Sequence, residues 1–183
     1  MTLNFEPQIY KELNEKDLLF DANAIIKIVD FEANYIIEKL MKEKVALLHT
    51  HQVFLELMAT DNVSLRTKRQ LFLDQYGFGE IPHIETKARA KAVKLQEELH
   101  KLDCHPSPTD LYLGACLDTQ VTGSTKTFLV TANIKDFPAP IFKKMGFLVL
   151  NSDKNVQAFT VVYFSGYGSV MESVKRNEED IPF

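Results

Sequence analysis

Short runs of consecutive apolar residues alternate along this chain with longer stretches in which apolar residues recur every three or four positions, the pattern of strands alternating with helices. Four runs read as buried strands: Asp17 to Phe20 (DLLF), Val45 to Leu48 (VALL), Thr127 to Thr131 (TFLVT) and Phe147 to Leu150 (FLVL). Ala24 to Met41 carries Ile25, Ile28, Val29, Tyr35, Ile36 and Leu40 close to the helical period and reads as one helix. Thr50 is suited to cap a helix over Gln52 to Ala59. Leu65 to Tyr76 reads as another, closed by Gly77-Phe-Gly79. Thr86 is placed to cap a helix that runs to Lys101 with an apolar stripe at Ala88, Ala92, Leu95, Leu99 and Leu102. Ser107-Pro108 opens the next helix, with proline at the first helical position where its missing N–H costs nothing, and that helix runs to about Gln120. After Leu150 the pattern is less definite. AFTVVYFSGYG, within Asn155 to Phe183, reads equally as a strand or a helix, and the acidic end, Asn177 to Asp180, reads as frayed.

This alternation favours an α/β fold with a parallel sheet. At 183 residues the chain holds one domain, assigned to residues 1–150, and residues 151–183 form a C-terminal extension, packed on that domain or partly disordered. No repeat or low-complexity linker interrupts it. The balance of 45% apolar and 25% charged residues is that of an ordinary globular domain. A net charge of −4 argues against binding nucleic acid by bulk basicity, but a site built from clustered carboxylates lowers net charge by its nature. The two cysteines, Cys104 and Cys116, do not read as a disulfide framework and point to a reducing compartment. The polar, acid-bearing N-terminus is no signal peptide, and the longest apolar runs are far too short to span a membrane, so a cytoplasmic location is expected.

Four segments each place an acid beside a strand end or in a helix. LLFDANAII puts Asp21 at the C-terminal end of the first strand, where open α/β sheets bind ligands. HQVFLELMA places Glu56 in an otherwise apolar helix, and SPTDLYLGACL places Asp110 in a first helical turn, where the helix dipole favours its charge. FLVTANIKDF is a strand breaking into a turn that carries Asn133 and Asp136. Each acid has an ordinary explanation alone: Asp21 as a helix cap, Asp110 as a dipole-matched acid, Glu56 as a surface acid, Asp136 as a turn residue. Together, acids distant in sequence can converge at one edge of a parallel sheet, and oxygen-only clusters suit hard cations such as Mg²⁺ or Mn²⁺.

In this order the segments resemble the PIN-domain family, most closely its VapC-like ribonuclease toxins. The matching stretches are D-A-N-A-I-I from Asp21 to Ile26, V-F-L-E-L-M-A around Glu56, T-D-x-x-L-G-A from Thr109 to Ala115, and L-V-T-A-N-I-K-D-F from Leu129 to Phe137. The resemblance runs roughly from Leu18 to Leu150. It implies a three-layer α/β/α sandwich with a central, mainly parallel sheet. It also implies an endoribonuclease that cleaves RNA phosphodiesters with water activated by Mg²⁺ or Mn²⁺, leaving a 3′-hydroxyl and a 5′-phosphate. Carried over by residue, Asp21, Glu56 and Asp110 are the metal-binding acids and Asp136 joins them in the catalytic set. Many members carry Asp at the position of Asn133, which puts a second metal in doubt rather than the first. Asn23, Thr131 and Asn133 would orient the acids. RNA is the implied substrate, and a cognate antitoxin protein and a second copy of the chain are candidate partners. Lys87, Lys91 and Lys94, or Arg66, Lys68 and Arg69, are candidate cations for the RNA backbone.

Other readings compete. LLFDANAII also looks like the start of a haloacid-dehalogenase phosphatase, but that chemistry needs a second acid where Asn23 stands, and the later paired acids are absent. A PIN-like module that binds RNA or protein without cutting it, and a PIN nuclease of RNA processing, both keep the fold. His49-Thr50-His51 has metal-ligand spacing but no third soft ligand follows, so it reads as a polar turn, and Cys104-His105 is similarly unsupported. Cys116 reads as core. The lysine face after Thr86 reads first as a solvated helix face. Gly166-Tyr-Gly168 lacks the strand-to-helix context of a nucleotide loop.

Overall fold

A computed structural model describes residues 7–81, 85–119, 126–152 and 155–168. Six strands form one sheet: β1 (Asp17–Phe20), β2 (Ala46–His49), β3 (Gly79–Glu80), β4 (Thr127–Thr131), β5 (Phe142–Ser152) and β6 (Asn155–Phe164). Their order is β3-β2-β1-β4-β6-β5. β1 is parallel to β2 and β4, and β2 to β3. β6 is antiparallel to both β4 and β5. Leu18, Leu19, Phe20 and all of β4 are buried, as strands covered on both faces must be.

The helices among the described residues are α1 (Pro7–Glu12), α2 (Ala22–Asp30), α3 (Asn34–Lys42), α4 (His51–Met58), α5 (Val63–Tyr76), α6 (Glu85–His100) and α7 (Pro108–Thr119). α2, α4 and α5 pack on one another, while α6 packs on α7, which covers β4 and β6. The result is a three-layer α/β/α sandwich. Its most deeply buried large side chains include Phe20, Phe142 and Phe159. Gly114 of α7 permits a close approach, because a Cβ there would stand 2.8 Å from Leu95 Cδ2 and 3.1 Å from Phe142 Cζ.

Strand order decides where a site can form. From β1 the chain moves outward through β2 to β3, then returns to lay β4 on the other side of β1. Connections leaving β1 and β4 therefore diverge, and the C-terminal ends of these two strands form a topological switch point, the usual ligand position of open α/β sheets.

The structure corrects several expectations. The single helix from Ala24 to Met41 is two, α2 and α3. α2 stops in a Schellman motif: the Glu32 N–H donates to Val29 and the Ala33 N–H to Ile28. Glu32 itself occupies the left-handed region at φ 53°. With glutamate where glycine usually stands, no composition signal marks the break. α6 begins at Glu85, so Thr86 lies inside it and not ahead of it. The run Phe147 to Leu150 is the middle of the eleven-residue β5. AFTVVYF belongs to strand β6, which lies between β4 and β5. Residues 151–152 and 155–164 thus lie within the sheet, and the boundary placed at 150 falls inside β5. The acidic stretch Asn177 to Asp180 lies outside the described residues.

Candidate functional site

The register of β1 on β4 sets Phe20 opposite Val130, and the ladder continues with the Asp21 N–H donating to the Val130 carbonyl at 3.0 Å. Asp21 and Thr131 are therefore neighbours at the switch point. Thr131 Oγ1 donates to Asp21 Oδ2 at 3.0 Å, and the Asn23 N–H donates to Oδ1 at 3.3 Å. Asp21 is thus the N-cap of α2 and, at 2% exposure, a buried acid facing the ends of the strands. The Asn23 contact is through its backbone, so it needs no particular side chain there.

The other three acids arrive from separate elements. Glu56 lies on α4, which Thr50 caps by accepting from the Val53 N–H at 3.2 Å; Glu56 accepts from Thr109 Oγ1. Asp110 lies in the first turn of α7, where Ser107 Oγ accepts from its N–H at 3.1 Å and donates to its Oδ2 at 2.6 Å. Asp136 ends a 3₁₀ turn, Ile134–Asp136, and accepts from the Asn133 side-chain amide. The Asn133 N–H in turn donates to Thr131 Oγ1 at 2.9 Å, joining this turn to Asp21 through one hydroxyl.

The acids feel one another's charge. Burial first, then the charges of Asp110 and Glu56, push the Asp21 carboxyl up from 3.8 to about 6, against the lowering effect of Thr131 and the Asn23 N–H. Burial, then Asp110, raises Asp136 as well, with Lys135 and Asn133 opposing. Like charges held together this way lower their energy by taking up a proton or a cation. The donor set is carboxylate oxygen alone, which fits a hard divalent cation. Among the described residues, no group of three or more His, Cys, Asp or Glu stands arranged to hold a metal ion. Asp21 is locked in place, whereas Glu56 is exposed and Asp110 half-buried.

The candidate cations fall elsewhere. Lys91 Nζ pairs with Asp118 at 3.1 Å and Lys94 Nζ lies 4.5 Å from the centre of the Tyr167 ring. Asp118 is eight residues beyond Asp110 on α7, roughly 12 Å along the helix axis, so these two lysines flank the far end of α7. Lys87 is exposed, one turn nearer the start of α6. The second group makes contacts with its own neighbours. Arg69 is buried and donates to the Leu57 carbonyl at 2.9 Å, in the last turn of α4, where the helix dipole favours a cation. Arg66 donates to Thr60 at 2.6 Å, and Lys68 pairs with Glu32 at 3.3 Å. Lys135, which the charge pattern did not single out, is the exposed cation beside Asp136.

Ser107 and Thr109 also escaped notice as site residues. Ser107 showed in the sequence only as a helix start, although S-P-T-D has capping-box spacing; Thr109 had no signal, because its partner lies 53 residues away. The histidines diverge: His49 is buried against Thr50 and Phe54, and His51 pairs with Glu80 at 3.4 Å. Cys116 is buried, its thiol pushed up to about 12 by burial, and Cys104 Sγ contacts the Lys135 carbonyl at 3.6 Å; both thiols are free.

No family model, curated protein or solved structure matches the chain. Among the described residues no helix is long and apolar enough to cross a membrane.

Proposed function

We propose that the protein is a metal-dependent endoribonuclease of the PIN type, acting in the cytoplasm. What supports this reading is that Asp21, at the switch point between β1 and β4, is pushed up by the charges of Asp110 and Glu56, and Asp136 by that of Asp110, so that acids from four separate elements influence one another. Asp21, Glu56 and Asp110 are the residues to hold Mg²⁺ or Mn²⁺. Bound there, the cation supplies a Lewis acid that makes water more acidic and offsets charge on the phosphate.

The chain's own residues prepare this chemistry. Thr131 and the Asn23 N–H fix the Asp21 carboxylate at the strand ends, so its orientation costs little when ligand arrives. Ser107 orients Asp110, and Asn133 orients Asp136. Lys135 places one positive charge at the rim, where a phosphate of the substrate backbone would approach. A role as the toxin of a toxin–antitoxin pair, with an antitoxin protein as partner, rests on the resemblance of the four acid-bearing segments alone.

A non-catalytic module of the same fold is the second reading. It is favoured by Asn133, which stands where many members of the resembled family carry an acid. The deciding experiment is cleavage of a mixed, labelled RNA pool with Mg²⁺, with Mn²⁺ and with EDTA, comparing the native chain with Asp110→Asn. Cutting that needs metal and is lost in the variant is the expected result. No cutting with either metal, from folded protein free of any partner, refutes the nuclease and leaves the binding module.

A further inference from the structure

Each acid at the switch point has a neutral hydrogen-bond donor: Thr131 for Asp21, Thr109 for Glu56, Ser107 for Asp110 and Asn133 for Asp136. Three of these pairs follow from nearby backbone. Ser107 and Asp110, and Asn133 and Asp136, are three residues apart, and Thr131 is placed beside Asp21 by the β1–β4 ladder. The Thr109–Glu56 pair is different. It ties α4, which packs on α2 and α5, to α7, which packs on α6 and the sheet.

Glu56 has special need of such a tie. It is exposed, with three side-chain torsions, and an untethered glutamate in water spreads over many rotamers. Thr109 immediately precedes Asp110 in the first turn of α7, so its hydroxyl holds Glu56 at the same end of the helix that carries Asp110. The hydrogen bond occupies Oε1 of Glu56 and leaves the other carboxylate oxygen for a ligand.

We infer that Thr109 is a positioning residue, whose hydroxyl holds the Glu56 carboxylate at the start of α7, the end that carries Asp110, so that less of Glu56 has to be ordered when a divalent cation binds. This deepens the nuclease reading and rests on it. Thr109 touches neither cation nor RNA; it acts through Glu56.

The test is Mn²⁺ binding to the full chain, measured by titration calorimetry without RNA. Thr109→Val keeps the shape of the side chain and removes the hydroxyl. It is expected to weaken Mn²⁺ binding about 10- to 100-fold, the range for groups that orient metal ligands, and Thr109→Ser to restore it. A double-mutant cycle separates positioning from a general effect on the fold. In a Glu56→Gln background, Thr109→Val is expected to change Mn²⁺ affinity by less than about twofold, because the carboxylate it positions is gone. Thr109→Ala serves as a second variant should valine disturb the turn. Native-like or tighter Mn²⁺ binding by the hydroxyl-less variants overturns the inference alone, as does equal weakening in both backgrounds. No Mn²⁺ binding by the native chain refutes the proposed function and the inference with it.

Discussion

Asp21→Asn separates the two roles of this residue, since asparagine keeps the helix cap and loses the charge. The Asp21 carboxyl is raised from 3.8 to about 6, so the folded state binds the proton more tightly than the unfolded chain does. Stability of the metal-free protein therefore falls as pH rises from below 3.8 through about 6. At about 1.4 kcal/mol per pKa unit, the ionised carboxylate costs the fold about 3 kcal/mol once pH exceeds that window. Asparagine caps helices as well as aspartate does: its Oδ1 can accept from the Asn23 N–H, while its Nδ2 takes the place of Oδ2 and donates to a Thr131 hydroxyl that turns to accept. The neutral acceptor and the reversed Thr131 bond together cost about 1 kcal/mol. The expected net effect at neutral pH in EDTA is a gain of about 1–3 kcal/mol, or roughly 2–10 °C in Tm for a chain of this length. Thermal unfolding followed by circular dichroism across pH measures it. The gain should shrink towards zero as pH falls below 3.8, where Asp21 is protonated in both states. Added Mn²⁺ should raise Tm of the native chain and leave the variant unmoved. A drop of several degrees at neutral pH would refute the reasoning and show that the ionised carboxylate, with its two hydrogen bonds, stabilises the fold.

Three further outcomes are expected. Gly114→Ala pushes a methyl group against Leu95 and Phe142; crowding should outweigh the roughly 1 kcal/mol gain in helix propensity, for a net loss of about 1–2 kcal/mol by urea unfolding. Tyr35 closes the outer edge of β5, where its hydroxyl donates to the Val149 carbonyl at 3.1 Å and accepts from the Asn151 N–H at 2.9 Å. Tyr35→Phe should cost about 1–2 kcal/mol and speed amide exchange at Asn151, and unchanged exchange there would contradict this role. Lys91→Ala and Lys94→Ala should leave RNA affinity unchanged and cost less than about 1 kcal/mol of stability each, whereas Lys135→Ala should lower RNA affinity; filter binding with labelled RNA distinguishes the two, and a several-fold loss from either α6 variant would place RNA on that helix.

The acids themselves were legible, because Asp21, Asp110 and Asp136 each sit at a boundary of an element that apolar periodicity marks. Their supports were less so. Thr131 could be read as a partner for an acid since it ends a buried strand, where a hydroxyl must find a hydrogen bond. Thr109 could not, because its partner is chosen by how α4 and α7 meet. The partners of two candidate cations were hidden for the same reason. A lysine or arginine looks available in sequence, but Arg69 is drawn under the end of α4, and Lys91 is claimed by Asp118. The break at Glu32 was hidden because a Schellman motif depends on backbone conformation, and glutamate can adopt it at a cost of about 1–2 kcal/mol.

The sequence by itself determined that strands and helices alternate, that β1 and β4 are buried on both faces, and that an acid or its turn follows each of them. These are local matters of periodicity, capping and apolar run length, and they survive without knowledge of neighbours. Tertiary structure alone decided the rest. It laid β4 beside β1 and made their ends a switch point, placed β6 inside the sheet and β5 at its edge, and brought Glu56 to Thr109 across 53 residues. Strand order and inter-helix contact arise from burying many faces at once, and no single segment carries that information.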